Sequence, residues 1–135
     1  MSNAALDVFG KVLMTKVRDE AISDWRMIAD GRMKGDLAAK ARALLSTLSD
    51  EQRSAFVSLI PAVVDTVLHH LLWTLEQEDN LRIGVKSGIH DVPDLRAISD
   101  GLAGELPSAD GWIVRFSREK QGSRGGKHGC RLCGQ

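Results

Sequence analysis

Aromatic side chains are scarce in this sequence: it has three Trp, three Phe and no Tyr in 135 residues. Leu, Val, Ile and Ala must therefore supply most of the hydrophobic core. Only two cysteines are present, and no N-terminal segment joins a basic region to an uninterrupted apolar run. We therefore expect no signal peptide, and a reducing cytoplasm is the expected compartment.

A long uninterrupted apolar run is also missing. The most apolar segment, residues 59–75, contains Pro61, Asp65 and the pair His69 and His70. A membrane-spanning helix needs about 20 predominantly apolar residues. The sequence therefore predicts no membrane partner. Its length fits one domain that is large enough to bury a core.

An excess of charge of either sign is absent as well, because 18 basic residues balance 18 acidic ones. This balance argues against a nucleic-acid-binding surface spread over the whole domain. The charge is unevenly distributed: residues 118–135 hold five basic residues and one acidic residue, a net charge of +4, which leaves −4 for residues 1–117. We expect a single globular domain over 1–117 and a flexible, basic, glycine-rich tail over 118–135.

Three helices are predicted from apolar residues that recur every three or four positions. The first runs from about residue 5 to residue 30 and ends at Gly31, which suits a left-handed cap. The second covers about residues 36–48. The third begins at a capping box formed by Ser49 and Gln52 and extends to about residue 78.

The third helix is apolar over more than half of its circumference, which predicts a central position with neighbours on several sides. Val67 lies on the stripe expected to be most buried. On this interpretation Val67→Asp would unfold the domain. Pro61, inside the helix, is expected to kink or interrupt it.

Two short segments after residue 80 have the alternation of β-strands. In LRIGVKS (residues 81–87) and GWIVRFS (111–117), apolar residues occupy every second position. The predicted fold class is therefore α+β and predominantly helical: a three-helix array with a wide-faced central third helix, a small C-terminal two-stranded β element and a flexible basic tail.

A candidate catalytic pair lies in the third helix. Asp65 and His69 are one turn apart, so the carboxylate could orient the imidazole as a general base. The same spacing is common for a structural pair on a helix surface. His70 points about 100° away and is expected in the core, so the two histidines are not predicted to share a metal ion.

A candidate binding face is predicted in the loop that contains Asp100 and Glu105. Loops held on a rigid scaffold often carry binding residues. Trp112 follows this loop and is expected beside it, and Trp73 is expected at the edge of a groove near His69. The alternative is a simple turn packed under the β element.

The end of the chain, KHGCRLCGQ, contains half of a zinc-binding motif. Cys130 and Cys133 have C-x-x-C spacing, and His128 could add a third ligand. A closed zinc site needs four ligands. The fourth would come from His90, His69, another molecule or water.

These observations favour a non-enzymatic protein-interaction module: an adaptor, an inhibitor or an immunity-type partner of another protein, with a homodimer as a further option. No cofactor is expected unless the tail binds zinc. Two alternatives remain open. One is a zinc- or nucleic-acid-binding module that acts through the basic C-x-x-C tail. The other is a small hydrolase-like enzyme that uses Asp65 and His69.

Overall fold

A computed structural model describes residues 3–119. Helices dominate this part of the chain. The elements are α1 (Ala4–Val12), a π-helical segment (Leu13–Arg18), α2 (Asp19–Ala29), α3 (Asp36–Leu45), α4 (Asp50–Gln77), 3-10 turns at Gly88–His90 and Leu95–Ala97, α5 (Leu102–Glu105) and α6 (Trp112–Phe116).

The first predicted helix is present as α1, the π-helical segment and α2, which follow one another without interruption. The Asn3 side chain caps its start by accepting a hydrogen bond from the amide of Ala5. Its end lies just before Gly31, whose φ of 75° is the left-handed conformation expected of a glycine cap. Both predicted ends are therefore confirmed to within a residue or two.

The start of α4 is also as predicted. Ser49 Oγ accepts a hydrogen bond from the amide of Gln52 (3.2 Å), and the Gln52 side chain accepts one from the amide of Ser49 (2.9 Å). The capping box is confirmed. Beyond it the helix continues through Pro61 to Gln77, so the proline does not interrupt it.

The main hydrophobic core lies between α1, the π-helical segment, the C-terminal half of α4 and the segment that carries α5 and α6. Trp112 is its largest side chain: the indole lies over Gly10 and meets the ring of Phe9 edge to face, with 5.5 Å between ring centroids. A smaller cluster joins the end of α2 to α3. Its buried members are Ile28, Ala38 and Ala41.

The prediction that the wide apolar face of the third helix is buried is wrong. Ile60, Leu68 and Leu72 are the buried residues of α4, whereas Val67 is 63% exposed. Helix α4 packs against α5, α2 and the π-helical segment, and α2 packs against both α3 and α4. These neighbours leave the side of α4 that carries Val67 uncovered, so the apolar circumference of α4 is only partly buried. His70, expected in the core, is exposed as well.

The predicted β element is also wrong, so the fold of residues 3–119 is helical. Within that range the only β-type pairing is an isolated antiparallel bridge between Val85 and Val92, with two 2.8 Å hydrogen bonds. The second predicted strand is helix α6. Trp112 and Phe116 satisfy helical spacing as well as alternation, and the helix places both against the core together with Ile113. Val114, which alternation would group with them, is half exposed.

Two aspartate substitutions in α4 test which side of the helix is covered. At a protein concentration at which the chain is monomeric, Val67→Asp should change the free energy of unfolding by about 0.5 kcal/mol or less, because the new carboxylate stays in water. Leu68→Asp should cost about 3 kcal/mol or more, because Leu68 is 3% exposed and the charge would be buried without a partner. Urea unfolding measures both. Equal effects would contradict the one-sided covering of α4.

The close approach of α1 to Trp112 gives a second test. A methyl group at Gly10 would collide with the indole ring. Gly10→Ala should therefore destabilise the protein by about 1–3 kcal/mol, the usual cost of overpacking a core. Gly104→Ala is the matched control, because no atom lies within 4 Å of its added methyl group. A melting temperature for Gly10→Ala at or above that of the control would refute the contact.

Candidate functional site

A fully buried arginine lies at the end of the π-helical segment. The Arg18 side chain has no exposed area, and its guanidinium pairs with Asp65 of α4 through two parallel hydrogen bonds: Nε to Oδ1 at 2.6 Å and Nη2 to Oδ2 at 3.1 Å. Two-point pairing of this kind is the strongest geometry for an arginine and a carboxylate. It joins the first helix to α4.

The remaining nitrogen of Arg18 holds the chain that follows α6. Nη1 donates to Ser117 Oγ at 2.7 Å and to the carbonyl oxygen of Glu119. Ser117 donates in turn to the buried carboxylate of Asp19, which also accepts from the amide of Arg118 at 2.9 Å. Every buried side-chain nitrogen and oxygen among residues 3–119 has a partner. The cluster is therefore a satisfied structural unit.

Arg118 and Glu119 were assigned to the flexible tail in the sequence-based prediction, yet both contact the helical domain. Glu119 Oε1 accepts a hydrogen bond from Nη1 of Arg26 in α2 at 2.5 Å. Nε of Arg118 lies 3.5 Å from Oδ2 of Asp19. These contacts extend the packed part of the chain to the last described residue.

The candidate catalytic residues Asp65 and His69 line one shallow depression with Thr66, Leu106 and Pro107. Both oxygens of Asp65 accept from Arg18. His69 is exposed, and its ring lies edge to face with that of His70, with 5.5 Å between centroids. The structure thus gives Asp65 an anchoring role, and general-base catalysis by His69 stays a prediction.

Asp100 and Glu105, the predicted binding residues, do converge on one pocket. It has a volume of about 390 Å³ and is also lined by Asp7, Asp110 and Arg115. Arg115 donates to Asp7 at 2.8 Å, and this hydrogen bond raises the pKa of Arg115 above its ordinary value. Four carboxylates against one guanidinium give the pocket a negative potential that favours cations.

The two tryptophans that were predicted near binding surfaces differ in how exposed they are to solvent. Trp112 is 1% exposed and belongs to the core, so it does not line the pocket of Asp100 and Glu105. Trp73 is half exposed on α4.

The predicted metal ligands Cys130, Cys133 and His128 lie outside the described residues. His90 ends the 3-10 turn Gly88–His90. Within residues 3–119, no group of three or more His, Cys, Asp or Glu side chains is arranged to hold a metal ion.

The most extensive unusual surface is on α4. Five large apolar residues that share one side of the helix are exposed by between 36% and 63%; we call this side the α4 apolar face. Its members are Phe56, Leu59, Val63, Val67 and Leu71. At 1.5 Å per residue the face is about 22 Å long. Applied to ordinary residue areas, the exposed fractions give a patch on the order of 500 Å², near the upper end for monomers.

A cleft adjoins the N-terminal half of this face. It has a volume of about 300 Å³ and lies between α2 and α4, where Trp25 meets Phe56 edge to face at 6.2 Å. Its other lining residues are Leu59, Ile60, Val63 and Val64. A cleft with almost no polar atom in its wall can accept an apolar side chain from a partner.

Small side chains form a second row beside the apolar face. Ser58, Ala62 and Thr66 recur every four residues and are exposed. The two hydroxyls already donate to carbonyl oxygens of α4 itself, Ser58 to Ala55 at 2.7 Å and Thr66 to Ala62 at 2.8 Å. Both hydroxyl hydrogens would therefore keep their acceptors if a partner covered this row.

Helix α4 is long and apolar enough to cross a membrane by length and composition, and 22% of its most apolar 18-residue window is buried in the structure. No membrane span was predicted from the sequence. One such helix is weak grounds for a membrane location.

Comparison with known proteins adds no relative. No protein-family model matches the chain, and neither the curated proteins nor the solved structures contain a match. The geometry of residues 3–119 is therefore the basis for functional inference.

The Arg18 cluster predicts that loss of a buried arginine lowers the free energy of unfolding much more than loss of an exposed one. Arg18→Met should cost about 3–5 kcal/mol, because it leaves the buried carboxylate of Asp19 and the largely buried carboxylate of Asp65 beside an apolar side chain. Arg32→Met should cost about 0.5 kcal/mol or less, because Arg32 and Asp30 are both about 60% exposed. Chemical denaturation compares them. A mild effect of Arg18→Met would show that the cluster does not hold the fold.

Proposed function

We propose that this chain is a non-enzymatic protein-interaction module that binds its partner through the α4 apolar face. The observation that carries the proposal is the exposure of this face on a helix whose opposite side is firmly buried. A large contiguous apolar patch on a folded domain is typical of an interaction site. The roles that fit are those predicted from the sequence. The chain would act as an adaptor, an inhibitor or an immunity-type partner of another protein, or it would bind a second copy of itself.

The composition of the face supports this proposal over a surface that merely faces water. Between Ser54 and Leu75, Asp65 is the only charged residue, and it lies on the covered side with Arg18. Interface centres are depleted in charged residues and enriched in large apolar side chains. The adjoining cleft supplies a pocket of the kind that holds an anchoring side chain.

The rigidity of α4 also supports the proposal. The helix is capped at Ser49, buried along Leu68 and Leu72, and tied to the first helix by Arg18 and Asp65. A partner would meet a preformed surface, so less conformational entropy is lost on binding than with a disordered segment.

Site-specific photo-crosslinking in cells that naturally express the chain tests this proposal. A photoreactive phenylalanine analogue at Val67 should yield discrete protein adducts, because this position lies in the middle of the α4 apolar face. The same analogue at Leu44 is the matched control, since Leu44 is at least as exposed as Val67 but lies on a different helix, α3. Adducts at Val67 should disappear when Leu59→Glu is added.

Absence of any protein adduct at Val67, or equal labelling at Leu44, would contradict the proposal. The variants are checked by their melting temperatures at a protein concentration low enough to dissociate any complex at the face. These should match that of the unmodified protein, because all three positions are at least 60% exposed.

A further inference from the structure

The α4 apolar face has the same order of side chains in both directions. Its row at four-residue spacing is Leu59, Val63, Val67 and Leu71, which reads Leu, Val, Val, Leu from either end. An antiparallel pairing of this row with itself places Val63 against Val67 of the other copy, and Leu59 against Leu71. In a two-fold contact the same patch serves both copies and must be complementary to itself, and this row meets that requirement.

We propose that the partner at this face is a second copy of this chain, packed antiparallel on α4 about a two-fold axis between Val63 and Val67. This inference rests on the proposed function and names its partner. It makes α4 the centre of a homodimer, covered on one side by its own domain and on the other by the second α4.

The relief of the helix surface fits this arrangement. The large residues form a ridge along positions four apart, and Ser58, Ala62 and Thr66 form a low row beside it. When such ridges of two helices interlock, the axes cross at about −50°. Each copy offers both the ridge and the low row, so both ridges are accommodated at once.

The area is consistent with a dimer as well. A standard interface takes about 800 Å² from each partner. The five residues of the apolar face supply on the order of 500 Å² of this, and the low row and the rim of the cleft at Trp25 lie directly beside them. Leu71 of the second copy would approach the cleft, which opens beside Leu59 and Val63.

The charges at the two ends of α4 favour a protein partner over a lipid surface. Asp50 and Glu51 begin the helix, with Arg53 paired to Asp50, and Glu76, Glu78 and Asp79 lie at its end, so both ends have a net negative charge. Anionic bilayers attract Lys and Arg at such positions and repel acids. In the crossed dimer the acidic ends diverge from each other, so their repulsion remains weak.

Sedimentation velocity of the full chain over a wide concentration range tests the proposal. A reducing agent and a chelator are included, so that neither a disulfide nor a shared metal at Cys130 and Cys133 can join two copies. The expected result is a concentration-dependent dimer. Val63→Glu should raise its dissociation constant by about 100-fold or more, because two like charges would lie close to the axis. Leu44→Glu should leave it unchanged.

The orientation is tested by pulsed electron resonance between spin labels at Ser54→Cys, with Cys130 and Cys133 replaced by serine. Ser54 lies 11 residues from the axis, so antiparallel copies that cross at about −50° separate the two sites by about 30 Å. A parallel dimer would place them within about 15 Å, which would overturn the proposed arrangement.

Other outcomes separate this inference from the proposed function. A monomer at all concentrations overturns the homodimer, and the function survives if Val67 still forms adducts with a different protein. Flotation of the monomer with phosphatidylcholine vesicles, reversed by Val63→Glu, would identify a lipid surface and overturn both. A dimer unaffected by Val63→Glu would overturn the assignment to α4.

Discussion

The pairing of Arg18 with Asp65 is the interaction on which the rest of the structure depends. It lies where the first helix crosses α4, and the same guanidinium holds the chain after α6 through Ser117 and Glu119. Three segments that are distant in sequence thus meet at one side chain. A buried charge is costly unless all its hydrogen bonds are made, so these segments can pack only in a register that satisfies Arg18. The cluster therefore gives the helices their relative positions.

That constraint explains why α4 has two different sides. The side that carries Leu68 and Leu72 is held against the first helix, and Asp65 lies on the same side, one turn away. The opposite side cannot be turned inward without breaking the pair with Arg18. Its apolar residues are therefore displayed by the folding of the chain, and a partner surface is the arrangement that removes them from water.

Local patterns in the sequence were sufficient to predict the three long helical segments, and insufficient to predict α6 or which side of each helix is buried. The capping box at Ser49 and the end at Gly31 depend on residues within one turn, so both were predictable. The exposure of Val67 was not, because a helix that is apolar over most of its circumference does not reveal which side its neighbours cover. The strand predicted over 111–117 failed because Trp112 and Phe116 fit either period, and Ile113, which fits only the helical one, is the residue that joins them in the core.

The candidate site was predicted only in part for the same reason. Asp100 and Glu105 were expected to share a surface because they are close in sequence, and they do line one pocket. Arg18 was missed because its partners lie 47 and 99 residues away. A basic residue within an amphipathic helix ordinarily faces water. No residue next to Arg18 in the sequence indicates that its side chain is buried.

The π-helical segment Leu13–Arg18 has a consequence for how this sequence can change over generations. A π-helical turn accommodates one more residue than an α-helical turn, so the segment absorbs an offset between the apolar stripes of α1 and α2. Loss of one residue here would restore an ordinary helix but rotate α1 by about 100° relative to α2. Either Leu6 and Phe9 would leave the core or Arg18 would leave Asp65. Lineages of this chain should therefore keep the length of this stretch constant even where its composition drifts.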